Sequence, residues 1–289
     1  MHPLRSARRR EGLFRPGILS VTAIELTRLR TQIAGLMAAF TDPEAFVRRL
    51  CDLLEYYTDH TYRPTPGGRT PIVPHFKVPA QVLRQIEGEL AQRAQQQPEE
   101  GLRLADALWA NQYLEPRELA ARLLGSLPRE ATEAVMARLN AWAQPTLDAT
   151  LLIELLQKGG VRVLRDEPER WLALVEGWLG SDERPVQAMG LRALLPLVED
   201  VRFENLPQVF RLLTPLVSAA PAELLAEMTA LMRALARRSP AETAYFLRQT
   251  LAAGRHRGVR RLVRNSLAAF PEEAQRSLRA ALLAYPQEE

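Results

Sequence analysis

Arg255–Arg264 (RHRGVRRLVR) is the densest concentration of functional chemistry in this 289-residue chain. On a helical wheel at about 100° per residue, Val259, Leu262, Val263 and Leu267 share one side. Arg257, Arg260, Arg261 and Arg264 share the other. A planar guanidinium fork matches phosphate oxygens and is weakly hydrated, so such a face suits a nucleic-acid backbone. The segment around it, Met228 to Pro271, holds nine arginines and one acid, Glu242. Within it, Arg233 and Arg237 sit beside Ala226 and Ala230, opposite an apolar stripe of Leu224, Met228, Leu231 and Leu235. Small residues next to arginines permit close approach of a phosphate. An ordinary solvated face is the competing reading, because only Lys77 and Lys158 are lysine among 38 basic residues and arginine usage is high throughout.

A second residue type with chemical reach is Asp148. Pro145 is expected to open its helix, placing Asp148 in the first turn, on the apolar side with Leu151, Leu152 and Leu155. Two roles fit. The carboxylate is stabilised by the helix N-terminus, or it is held in a cleft to stabilise a developing cation.

Other chemistries find no support. The four histidines, at 2, 60, 75 and 256, are dispersed, so no metal site is expected. The single cysteine, Cys51, rules out an internal disulfide; among Leu50, Leu53 and Leu54 it reads as a buried small hydrophobe rather than a nucleophile. Gly67 and Gly68 lack the following Lys-Ser/Thr of a phosphate-binding loop, and no G-x-S-x-G elbow occurs. No cofactor is implied. No apolar run approaches the ~20 residues of a membrane span. The basic N-terminus lacks the apolar centre of a secretory signal, so a cytoplasmic location is expected.

The elements that must position these residues read as helices almost everywhere. Apolar stripes at helical spacing include Val82, Leu83, Ile86 and Leu90, and Trp171, Leu174, Val175, Trp178 and Leu179. Pro98, Pro128, Pro145, Pro168, Pro221, Pro240 and Pro271 each precede such a run, as proline at a helix start does. A proline-rich connector covers residues 61–79, and VRVLRDEP (161–168) is too short to build a sheet. Short amphipathic helices in succession, none able to bury its face alone, predict an all-α fold: a curved solenoid of HEAT-like antiparallel helix pairs, an armadillo-type superhelix, with a period near 40 residues. Residues 1–17 are expected to form a basic arm and 18–289 one helical-repeat domain. Residues 99–200 carry 17 acids and 11 bases, so a polyanion would be held mainly by the last third.

Four segments in order resemble the DNA alkylation repair family, the AlkD-like HEAT-repeat DNA glycosylases. HFKVPAQVLRQIEGEL (75–90) is similar to its turn into an early helix, with Lys77 in place of glycine and Pro79 one step displaced. LADALWANQYLEPRELAARLL (104–124) is similar to an LW-x5-E-x-R-x-x-A helix pair through Leu108, Trp109, Glu115, Arg117 and Ala120. WLGSDERPVQAMGLRAL (178–194) and ALARRSPAETAYFL (234–247) resemble two later pairs. The resemblance implies a basic concave face that cradles duplex DNA. In active members it also implies excision of cationic alkylated purines by an aspartate, two tryptophans against the deoxyribose and an arginine on the backbone. Residue by residue, the aspartate falls on Asp148, the tryptophan before it on Gln144, an arginine on Ala188, the second tryptophan on Ala230 and a further arginine on Arg233. One acid and one arginine are retained, and both aromatic walls are absent.

Three readings follow. The chain is a duplex-DNA binder with weak or no glycosylase activity, using Arg233, Arg237, Arg257, Arg260, Arg261 and Arg264 on phosphates. Alternatively it is an active alkylpurine glycosylase using Asp148, with Trp142 or Trp109 as a replacement wall. The third reading is a scaffold that docks a protein partner.

Overall fold

The structure is a computed structural model and describes residues 26–58, 73–253 and 257–284. The basic arm at 1–17, most of the connector, Arg255 and His256 lie outside them. Fifteen α-helices account for the described residues, and among those no strand occurs. They are α1 (Leu26–Met37), α2 (Pro43–Tyr56), α3 (Ala80–Gln96), α4 (Pro98–Trp109), α5 (Leu114–Ser126), α6 (Thr132–Trp142), α7 (Ala149–Glu154) and α8 (Val161–Asp166). The remainder are α9 (Pro168–Leu179), α10 (Arg184–Glu199), α11 (Leu206–Ala219), α12 (Leu225–Arg238), α13 (Pro240–Ala253), α14 (Arg257–Ser266) and α15 (Glu272–Ala284).

Proline behaves largely as expected. Pro98, Pro168 and Pro240 open their helices, as does Pro43, where the missing N–H has no helical partner anyway; Pro128, Pro221 and Pro271 stand one residue before a short 3-10 turn or a helix. Pro145 does not. Residues 144–147 form a turn closed by Leu147 N–H donating to Gln144 O at 3.0 Å, and α7 begins only at Ala149.

The helices sort into two layers. One contains α1, α3, α5, α7, α10, α12 and α14 in that order, with α10 meeting the turn at Leu155–Gly159 that follows α7; α9, α11, α13 and α15 pack in sequence in the other, which α2, α4 and α6 continue toward the N-terminus. The sequence offset between facing residues is nearly constant. Arg122 to Glu154, Arg138 to Asp106 and Arg233 to Asn265 are each 32 residues apart. Arg122 to Glu87 and Arg192 to Glu227 are 35 apart, and Trp178 to Asn140 is 38. A recurring offset between neighbours in one layer is the signature of an α-solenoid, in which every repeat contacts only adjacent ones. The period is therefore somewhat shorter than the pattern of apolar residues suggests.

One continuous core runs between the layers from Leu29 to Leu282. Trp171 is fully buried and donates its indole N–H to Ala193 O at 3.0 Å, tying α9 to α10. Its ring fits only because Gly160 lacks a side chain; a Cβ there would stand 2.3 Å from the indole edge. Leu155–Gly159, between α7 and α8, is wound as a turn of π-helix. Cys51 is half-buried rather than fully buried, and Asn111 Nδ2–H donates to its sulfur at 3.8 Å. Burial pushes its thiol above the ordinary range, which leaves it a poor nucleophile.

Candidate nucleic-acid interface

The arginine-rich helix α14 lies beside α12 in one layer. Its Val259, Leu262 and Val263 are buried, so Arg257, Arg261 and Arg264 are turned out to solvent, with Arg260 half-exposed. Gly258 sets how closely α14 can seat. A Cβ at this position would meet Ala220 O at 2.1 Å, and Ala220 ends α11 in the left-handed conformation at φ 37°. Backbone rests on backbone, which fixes the start of α14 against the end of α11.

A cleft of about 740 Å³ opens there, lined by Arg257, Arg260, Arg261 and Arg264 over Ala220, Ala222 and Leu225. A second lobe, about 470 Å³, continues it between α12 and α14 and is lined by Ala226, Thr229, Ala230, Arg233, Arg261 and Asn265. Arg261, Ala222 and Leu225 border both lobes. Arg233 is held in place by donating Nε–H and Nη2–H to Asn265 O at 3.1 and 2.7 Å, which satisfies a carbonyl near the C-terminus of α14. No carboxylate lines either lobe. Arg237, one turn beyond Arg233, stands 3.8 Å from Glu199.

The middle of the same layer has the opposite character. Arg122 on α5 bonds Glu87 on α3 at 3.1 Å and Glu154 on α7 at 2.5 Å. Burial raises the Glu118 carboxyl to about 7, opposed by Arg122 and reinforced by Glu154 and Glu115. Asp148 is half-buried and caps α7, accepting Thr150 N–H at 2.8 Å. It is an N-cap rather than a first-turn residue, because the turn at Pro145 delays the helix. That hydrogen bond uses one carboxylate oxygen to satisfy an otherwise orphaned helix donor.

Trp109 and Trp142, the two candidate walls, are paired with each other. They stack with centroids 4.6 Å apart and planes within 5°, both packed against the core. Arg117 lies at 6.0 Å from the Trp109 centroid. The residues that carry the sequence resemblance mostly serve as fastenings. Buried Glu115 accepts the N–H groups of Phe76 and Lys77 at 3.0 and 2.9 Å, pinning the end of the connector to α5. Arg117 Nε–H donates to Asn111 O at 2.5 Å, and Gln187 Nε2–H to Ser181 O at 2.7 Å.

The profile of the DNA alkylation repair enzyme family matches residues 73–266. The chain belongs to that family. No curated protein sequence matches it. Among solved structures, the X-ray structure of YibA from Escherichia coli aligns over 80% of this chain and 92% of its own, at 13% identity and a TM-score of 0.32, a likeness too loose to carry an argument. Of the positions that the family resemblance singles out, Ala188, Ala230 and Arg233 lie on α10 and α12 and Asp148 caps α7, all in one layer, whereas Gln144 lies in the turn before α7. Glu118, Thr229 and Asn265 also belong to this layer and were not marked by the sequence. Thr229 reads as part of an apolar stripe beside Met228, and the state of Glu118 depends on its burial and on Glu154 from another helix as well as on Glu115 of its own. No helix among the described residues is long and apolar enough to cross a membrane, and none of their His, Cys, Asp and Glu side chains gather as a metal-binding group.

Proposed function

We propose that this family member binds duplex DNA through the α12–α14 cleft and has weak or no glycosylase activity. The observation that carries the reading is that Arg257, Arg260, Arg261 and Arg264 border one cleft whose continuation is bordered by Arg233, with no acid in either lobe. Arg237 extends the track at its acidic end. A run of guanidinium groups on one layer neutralises successive phosphates and releases counterions. Against base excision stand three features: Asp148 caps its own helix, Gln144 and Ala230 occupy the tryptophan positions, and Trp109 and Trp142 are stacked on each other. A carboxylate stabilises an oxocarbenium-like transition state only when the sugar is held against it, and lost positioning groups cost factors of roughly 100. On this reading residues 18–289 act as one repeat domain in the cytoplasm, and the arm at 1–17 adds positive charge.

Fluorescence anisotropy with a short duplex at two salt concentrations tests the binding. A steep loss of affinity with salt is expected, and salt-independent or absent binding refutes the reading. Release of 7-methylguanine from methylated duplex, abolished by Asp148→Asn, would instead establish the glycosylase. A protein-docking role has one observation in its favour: an apolar groove on the other layer, lined by Pro207, Phe210, Tyr245 and Phe246.

A further inference from the structure

Helix α13 carries two stripes of side chains. Thr243, Ala244, Leu247, Thr250 and Leu251 are buried and hold it to the core. Glu242, Tyr245, Phe246 and Gln249, spaced three and four residues apart on another face, line instead a groove of about 620 Å³ shared with Pro207 and Phe210 of α11. Phe210 and Phe246 pack against the core at its base, with ring centroids 5.1 Å apart and planes at 41°. Tyr245 stands at the rim, 57% exposed. Three rings and a proline gathered in one open recess, beyond what the core needs, mark a binding surface.

This surface is not made for a phosphate backbone. It lies in the layer opposite the α12–α14 cleft, and among the described residues that line it none is basic. The arginines nearest in sequence are engaged elsewhere. Arg211 stands 3.6 Å from Glu176, and Arg248 donates to Ser277 Oγ at 3.2 Å.

The lining instead matches a polyproline II segment. Flat aromatic rings beside a proline suit the stiff rings of such a helix, which loses little entropy when it docks. A proline-rich chain has few N–H groups and offers mainly carbonyls, and the Tyr245 hydroxyl and Gln249 amide are donors within the groove. Among the described lining residues only Glu242 is charged. It is exposed, and Ser239 donates to just one of its carboxylate oxygens, at 2.9 Å. An accessible acid at one end of an aromatic groove favours a cation beside the prolines.

We propose that the α11–α13 groove docks a proline-rich segment of another protein that carries an arginine or lysine next to its prolines. The proline rings seat on Tyr245, Phe246 and Phe210, the segment's carbonyls accept from Tyr245 and Gln249, and its cation pairs with Glu242. The proposal goes beyond the DNA reading and does not depend on it. Because the two surfaces lie on opposite layers, one molecule can hold a duplex and a partner protein together.

Isothermal titration of the full chain with synthetic peptides tests the groove. The probe is a proline-rich peptide flanked by arginines; one comparison peptide has alanine for every proline, and another has glutamate for each arginine. Saturable binding of the probe is expected, with the alanine peptide about tenfold or more weaker and the glutamate peptide about threefold weaker. Tyr245→Ala, at an exposed position, should weaken the probe about tenfold, as loss of an aromatic anchor does. Glu242→Gln should erase the preference for arginine over glutamate flanks. Neither substitution should alter duplex affinity, and Arg260→Ala with Arg261→Ala should leave peptide affinity intact. Absent binding, equal affinity for the alanine or the glutamate peptide, or Tyr245→Ala binding as the wild type does overturns the proposal. Peptide binding without duplex binding keeps the groove and removes the DNA reading.

Discussion

Two stretches of one helical layer, α3–α5–α7 and α12–α14, share a geometry and differ in charge. In both, side chains reach across to the next helix of the layer at the same 32-residue spacing, Arg122 to Glu154 in the first and Arg233 to Asn265 in the second. In the first, one guanidinium is shared by carboxylates from neighbouring helices, and a further carboxyl, Glu118, is pushed to about 7 by burial and by Glu154 and Glu115, against the pull of Arg122. In the second, arginine bonds only a backbone carbonyl, and four more arginines border the cleft beyond it. The first stretch satisfies its own charges. The second sets its guanidinium groups around a cleft whose lining holds no acid. The repeat supplies the reach between helices, and the residue chosen at each reach decides whether the rung closes on itself or stays open.

The comparison breaks most sharply at Gly258. Gly258→Ala would force α14 off Ala220 and is expected to destabilise the protein by about 2–3 kcal/mol, the upper part of the range for overpacking. It should weaken duplex binding in parallel, because the arginines of α14 move with the helix. Unfolding and anisotropy on the same sample check this; an unchanged Tm would show that α14 seats differently.

The open rungs are tested by Arg260→Ala together with Arg261→Ala. Affinity for duplex should fall on the order of tenfold or more, and the slope of log affinity against log salt should become shallower by about two, near 0.9 per lost phosphate contact. Unchanged binding would assign this face to solubility alone.

The closed rungs are tested by pH. Glu118 keeps its proton in the folded state up to about 7, whereas the unfolded chain releases it near 4.5. Its contribution is fully present below 4.5 and is lost as pH rises through about 7, because in that window the unfolded state binds fewer protons. After allowance for solvent screening the effect is on the order of 1 kcal/mol. Denaturant unfolding at pH 5 and pH 8 should show it in the wild type, and Glu118→Gln should flatten the difference. A variant with the same pH dependence would place the titration elsewhere.

Much of this was legible in the chain. The helices follow from apolar spacing, and the two faces of α14 were legible because its valines, leucine and arginines segregate so sharply, although the helix stops at Ser266, one residue short of Leu267. Arg233 was marked by its alanine neighbours and does border the same cleft as Arg261. Asp148 was placed one step inside its helix, because proline at a turn and proline at a helix start look alike until Leu147 N–H is seen to close on Gln144 O. Thr229 and Glu118 were invisible for a different reason. Whether a hydroxyl finds a partner, and how far a carboxyl is buried beside Glu154 of another helix, are set by packing, and periodicity along one helix carries no information about that.

The near-constant offset between facing residues has a consequence for how the molecule comes apart. If each repeat is held only by the ones beside it, cooperativity has the range of a nearest-neighbour chain, and the terminal repeats have support on one side only. The arginine cleft lies between two such neighbours, α12 and α14. A phosphate backbone laid across both would add a second link to a contact that the polypeptide makes only once.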